Sequence, residues 1–337
     1  MKKICCFFVV FYCCMIPGQA TEYYAKNYIV MEAGSGQILE GKEIHETQSV
    51  ASISKIMTAI VAIENDQLLR EVEIGEEIKK AYGSGVYIHQ GDKITIQDLL
   101  YGLLLRSGND AALCLAYHAG GESLEHFVQL MNSKAQEIGM NDTIFHNPSG
   151  LDEEDEGNIS SVYDMALLMR YCMQNETFRE ITSTTAYKRL DGNGTWHNKN
   201  KLLTNYEYCT GGKTGFTKKA KRTLVTSASK DGVELIVVTF NCGDDFSFHQ
   251  NLYETYFEIY HQVLCLDQGL YQIDNYQFYV NEPIYQTLAK TNNEEELEYQ
   301  ISSDQKMINI YCHEQLLGSY EIIKDRYSFW YFFEAML

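Results

Sequence analysis

Basic residues are scarce in this chain of 337 residues: 27 Lys and Arg stand against 46 Asp and Glu, a formal charge of −19. A surface of that sign repels phosphate backbones, which excludes nucleic acid as a partner. Long hydrophobic runs are also missing. The most apolar stretch, Ile4 to Ile16, covers about 13 residues, short of the roughly 20 that cross a bilayer as a helix. Beyond residue 20 no two cysteines stand at the short spacing of zinc or dithiol redox motifs. No metal or organic cofactor is implied.

What is present begins with Met1-Lys2-Lys3, the apolar run, and Gly18-Gln19-Ala20. These are the charged, apolar and small-residue parts of a secretory signal over residues 1–20, with cleavage expected after Ala20. An uncleaved anchor is the alternative. Either way the body is expected outside the cytoplasm, at the cell wall or the outer face of the cytoplasmic membrane. Cys5, Cys6, Cys13 and Cys14 leave with the signal, and Cys114, Cys172, Cys209, Cys242, Cys265 and Cys312 remain. Their scattered positions suggest buried thiols, and any disulfide among them is unassignable from spacing.

The mature chain opens on a hairpin: Tyr28-Ile-Val-Met-Glu and Gln37-Ile-Leu-Glu flank Ala33-Gly-Ser-Gly36. From Ser52 to about Glu64 apolar residues lie nearly all round a helical cylinder, which predicts a buried helix. Helical patterns follow at Ile96 to Leu105, Asp110 to His118, Leu124 to Ile138 and Val162 to Cys172. Strands return at Thr223 to Ala228 and Glu234 to Phe240 around a Lys230-Asp-Gly232 turn, before a helix from about Phe246 to Val263. Strands at both ends with helices between predict an α+β domain, one antiparallel sheet covered by helices. Beyond Leu266 short alternating segments, including Gln277 to Asn281, Leu297 to Ile301 and Met307 to Tyr311, read as a small all-β module.

Three motifs carry chemistry. Ser52-Ile-Ser-Lys55 opens the buried helix. Three residues put hydroxyl and amine about 60° apart around the axis, within reach of each other. A partly desolvated lysine at a helix N-terminus has a lowered pKa and can take the serine proton. Ser107-Gly108-Asn109 sits between two apolar helical runs, where a tight loop aims a hydroxyl and an amide into a cleft. Lys213-Thr214-Gly215, followed by Phe216-Thr217, offers a cation, a hydroxyl and a close backbone approach on a strand able to grip an extended peptide.

Each motif alone is common. In this order, Ser-x-x-Lys, Ser-x-Asn and Lys-Thr-Gly form a signature shared by class A β-lactamases and penicillin-binding proteins. The fuller stretches Ala51 to Thr58, Leu103 to Ala112, His146-Asn-Pro-Ser-Gly-Leu151, Tyr163 to Ala166 and Lys213 to Thr217 closely resemble the D-alanyl-D-alanine carboxypeptidase family over about residues 25 to 262. The resemblance implies a β-lactamase/transpeptidase-like fold over residues 21–263, a small β-rich domain over 264–325 and a short aromatic tail over 326–337. It implies Ser52 as nucleophile, Lys55 as its base, and Ser107 and Asn109 as proton relay and peptide clamp. Lys213 and Thr214 would bind the substrate carboxylate, beside Gly215, and the amides of Ser52 and Phe216 would hold the oxyanion.

The implied partner is a peptidoglycan stem peptide ending in D-Ala-D-Ala, with β-lactams as inhibitors. Lys199 stands where some relatives place a basic residue near that carboxylate. Lys221 stands where relatives often have glycine, and Asn158 where many have histidine. The tail Phe329-Trp-Tyr-Phe-Phe333 is too short to hold a membrane, so at most weak surface contact is expected. Two other readings remain: a class A β-lactamase, whose usual Glu-x-x-x-Asn loop is not evident after Ser107, and a non-catalytic wall-binding or penicillin-sensing protein.

Overall fold

The computed structural model describes residues 25–152, 157–190, 192, 194–290, 297–312 and 315–323. The expected signal segment, residues 1–20, and the aromatic tail lie outside the described residues. A five-stranded antiparallel sheet runs in the order Ile38–Lys42, Asn27–Glu32, Val233–Phe240, Lys221–Lys230, Cys209–Thr217. Strands from both ends of the domain thus meet in the middle of the sheet. Their alternation explains the layers: Ile236, Val238 and Phe240 face a helical block, while Leu235 and Val237 face the helix Asp245–Ile259 on the other side. The turn after Lys230 takes left-handed angles at Asp231 (φ 50°) and Gly232 (φ 85°), the backbone a tight hairpin needs.

The block consists of Lys55–Asn65, Ile96–Arg106, Asn109–Ala119, Leu124–Ile138 and Val162–Cys172, joined by a helix Glu176–Ser183 that the hydrophobic pattern did not reveal. Lys55–Asn65 is its axis: every residue from Lys55 to Ala62 is buried. Among the described residues no helix is long and apolar enough to cross a membrane.

Two segments differ from the sequence pattern. Ser52 lies in a 3-10 turn, Ala51–Ser54, rather than in the α-helix itself. Ser54 Oγ donates to the Ala51 carbonyl at 2.9 Å, and the Lys55 amide bonds Ser52 instead, so a local side chain has tightened the first turn. The last large helix stops at Ile259, short of Val263. From Tyr260 the chain becomes the strand Tyr260–Leu266, paired with Ile284–Ala289, and that ladder outcompetes helix continuation. The remaining strands, Gly269–Ile273 with Tyr276–Val280 and Leu297–Ile301 with Met307–Cys312 and Gln315–Glu321, pack around Leu266, Phe278, Val280, Ile308 and Ile310. Cys114, Cys172, Cys209 and Cys242 are unbridged thiols, and Cys265 and Cys312 pack beside Leu288.

Candidate active site

The edge strand Cys209–Thr217 leans on the Ala51–Ser54 turn, and the contact requires glycine. A Cβ on Gly215 would stand 2.4 Å from Thr223 Oγ1 and 3.1 Å from the amide nitrogens of Ser52 and Ile53. Beside this contact opens a cavity of about 470 Å³ lined by Ser52, Ser107, Thr214, Gly215 and Phe216. Ser107 caps the helix Ile96–Arg106 in left-handed conformation (φ 62°), and Asn109 begins the next helix, so the loop between two helices turns both inward. Lys55, Asn109 and Lys213 lie buried behind the cavity wall.

Lys55 is the hub. Its Nζ lies 2.7 Å from Asn109 Oδ1, in contact with the Ser149 carbonyl, and 3.1 Å from Ser52 Oγ. Asn109 Nδ2 donates to the Tyr82 carbonyl at 2.5 Å, which fixes Oδ1 toward the lysine. A neutral amine has two N–H bonds and one lone pair. Two of its three neighbours are acceptors without a proton to give, and the third is a hydroxyl. When Lys55 is neutral, its lone pair is therefore left for the Ser52 proton.

The electrostatics favour that form. Burial, with help from the Lys199 cation and against the pull of Asp110, pushes Lys55 down to about 7. Lys213 is held well below its ordinary value by burial, then by Lys55 and Lys199. Two ammonium groups in one dry pocket repel, which disfavours charging both at once.

A D-alanyl-D-alanine carboxypeptidase family profile matches residues 15–243. The chain is 33% identical over 252 residues to D-alanyl-D-alanine carboxypeptidase DacF of Bacillus subtilis, a match covering 69% of this chain and 64% of that one. It is 34% identical over 215 residues to D-alanyl-D-alanine carboxypeptidase DacB2 of Mycobacterium tuberculosis, covering 63% and 73%. The chain belongs to the D-alanyl-D-alanine carboxypeptidase family.

Solved structures agree. A D-alanyl-D-alanine carboxypeptidase from Mycobacterium tuberculosis superposes with a TM-score of 0.66 at 30% identity, covering 73% of this chain and 96% of that one. The DacD carboxypeptidase of Francisella tularensis, at 23% identity, shares the fold over 93% of this chain with a TM-score of 0.71.

Two departures from the family pattern have local structural answers. Lys221 adopts the left-handed backbone (φ 61°) that glycine would take without strain. Asn158, buried, accepts from the amides of His146 (2.7 Å) and Asn147 (3.1 Å) and donates to the Asn147 carbonyl at 2.8 Å, pinning the 146–151 stretch.

The sequence motifs did not reveal several members of the site. Ser149 reaches Lys55 through its main-chain carbonyl, which no side-chain motif records. Gly150 is the trace of that approach: its φ is 75°, and a Cβ there would lie 2.1 Å from the Ala51 carbonyl oxygen. Asp110, buried, receives the amides of Val86 at 3.0 Å and Tyr87 at 2.7 Å and so shapes the far wall, where Ser84 meets Lys199 Nζ at 3.3 Å. Arg222 and Asp245 close the opposite end in a paired contact of 3.1 and 2.5 Å.

Proposed function

We propose that this chain is an exported serine-type D-alanyl-D-alanine carboxypeptidase that removes the terminal D-alanine from peptidoglycan stem peptides. The contact between Ser52 and buried Lys55, an amine held down to about 7, carries the reading. Ser52 Oγ attacks the carbonyl between the two D-alanines while Lys55 accepts its proton. The amides of Ser52 and Phe216 receive the developing oxyanion; donors of this kind contribute roughly 3–4 kcal/mol each. Ser107 passes a proton to the departing amine and, with Asn109, holds the peptide. D-alanine leaves, an ester to Ser52 remains, and water hydrolyses it.

Lys213 and Thr214 receive the substrate's free carboxylate, whose negative charge restores Lys213 to its ammonium form. β-lactams present the same carbonyl and carboxylate and acylate the same serine. Export is read from the first 20 residues, and residues 264–325 are read as a second, β-rich domain.

The test is purified protein with a stem pentapeptide, followed by mass spectrometry, together with peptide mapping after penicillin treatment. Release of one D-alanine and a label on Ser52 support the reading. Ser52→Ala removes the nucleophile, and turnover falls by about 10⁶-fold. A label on Ser54, or penicillin hydrolysis without peptide trimming, would overturn it, the second in favour of a β-lactamase. Acylation with no release from any peptide marks a sensor instead.

A further inference from the structure

Behind the cleft wall, three side chains unconnected with the acylation chemistry converge. Cys114 and His118 are four residues apart on the helix Asn109–Ala119 and share a face. Glu77 reaches them from the 3-10 turn Glu76–Lys80, which packs against that helix. One ligand-type atom from each residue lies within 4.8 Å of the others.

The surroundings hold the two outer side chains in place. Glu77 Oε1 accepts from the Gly75 amide at 2.9 Å, and His118 Nε2 lies 3.3 Å from the Glu73 carbonyl. Carbonyl and amide contacts of this kind orient metal-binding carboxylates and fix the tautomer of metal-binding imidazoles. With Nε2 carrying the proton, Nδ1 carries the lone pair. Cys114 is buried and sits beside the Glu77 carboxylate, while Glu77 and His118 are half-buried, which leaves a path for an ion to enter.

We propose that Glu77, Cys114 and His118 form a binding site for a zinc-type divalent cation. Thiolate, imidazole and carboxylate together suit zinc better than calcium or magnesium, which prefer oxygen ligands throughout. Ligand atoms around tetrahedral zinc stand about 3.4–3.8 Å apart, so side-chain rotation of about 1 Å closes the present arrangement. The fourth position is left to water. Binding displaces the thiol proton to solvent, with no change of oxidation state.

The ion would act on the cleft from behind. The helix that carries Cys114 and His118 begins at Asn109 and Asp110, which hold Lys55, Tyr82, Val86 and Tyr87. Glu77 lies just before that same 82–87 stretch, whose Ser84 lines the cleft. Zinc joining Glu77 to the helix pins both ends of the cleft's outer wall. The sequence signal is Cys114-x-x-x-His118, a ligand pair on one helical face that a search for paired cysteines passes over.

Cobalt(II) titrated into the full chain reads the site directly through its tetrahedral visible bands and its thiolate-to-metal charge-transfer band. One equivalent is expected. Cys114→Ser removes the charge-transfer band, while Cys209→Ser keeps it. Glu77→Gln and His118→Gln, at half-buried positions that tolerate change, weaken zinc at least tenfold in competition with a chromophoric chelator. Zinc at a hundredfold excess over its wild-type Kd raises the wild-type Tm by roughly 5–10 °C, and a variant that binds tenfold more weakly by about half of that. A charge-transfer band that survives Cys114→Ser, or a zinc response identical in wild type and Glu77→Gln, would overturn the assignment.

Discussion

Lys55 and His249 stand on opposite faces of the central sheet, and neither exposes any surface. Both are bases pushed down by burial, Lys55 to about 7 and His249 to about 3. Their partners differ. His249 is closed in by hydroxyls, with Nδ1 2.7 Å from Thr226 Oγ1 and Nε2 2.9 Å from Thr239 Oγ1, and Thr226 continues to Tyr253 at 2.7 Å. Lys55 touches two carbonyl-type oxygens and one hydroxyl, and that hydroxyl borders an open cavity. Burial alone therefore makes a proton-poor base; only a base with an unspent lone pair next to a substrate cavity becomes a catalyst. The histidine ties the helix Asp245–Ile259 to the sheet, whereas the lysine lies against the Ser52 hydroxyl, the proposed nucleophile.

The comparison breaks most sharply at Lys55. Lys55→Arg keeps a cation that cannot deprotonate at working pH. Loss of a general base lowers acylation by about 10²- to 10⁴-fold, while the protein still unfolds cooperatively. Near wild-type acylation by penicillin, followed by stopped-flow or mass spectrometry, would leave the lysine as mere electrostatic support.

The Lys55 side of this contrast was legible in the sequence; the His249 side was not. The three motifs named Ser52, Lys55, Ser107, Asn109 and Lys213 through side chains, because hydroxyl, amine and amide chemistry leaves a residue-type signature at fixed spacing. The sheet was legible too, since Glu234 to Phe240 and Thr223 to Ala228 are segments rich in β-branched residues around an Asp-Gly turn. What stayed hidden works through the backbone or through distance. The Ser149 carbonyl has no signature except the glycine beside it, and Asp110 acts on amides more than 20 positions away. The 3-10 turn at Ser52 arose from a hydrogen bond of Ser54 that periodicity does not register.

Lys213 sharpens the contrast at the substrate end. Lys213→Ala should weaken turnover of a free stem peptide by about 10- to 100-fold, the worth of a charge-assisted hydrogen bond. A C-terminally amidated peptide should lose far less, so the two substrates converge in the variant. Equal losses on both, measured as kcat/KM, would move Lys213 from carboxylate binding to the fold.

At His249 the expected effect on catalysis is the smallest. His249→Leu leaves the hydroxyls of Thr226 and Thr239 without their ring partners and should cost about 1–3 kcal/mol of stability, with the acylation rate unchanged. The pH dependence carries a definite sign. The unfolded chain takes up a proton near the ordinary histidine value while the folded chain does not, so wild-type stability falls as pH drops from about 6.5 toward 3. The variant lacks that part of the acid sensitivity. Denaturant unfolding at two pH values decides it, and a variant as acid-sensitive as wild type would remove His249 from the account.

The central claim is that Lys55 works as a neutral amine, and the pH profile of Ser52 acylation by penicillin tests it most directly. Deprotonation creates the base, so the rate should rise with pH, bend near about 7, and stay level above. Lys199→Ala removes a repelling charge, raises the Lys55 pKa, and should move the bend to higher pH. A wild-type rate that is flat through neutrality, or that climbs only near the ordinary lysine value of about 10.4, would contradict a neutral Lys55.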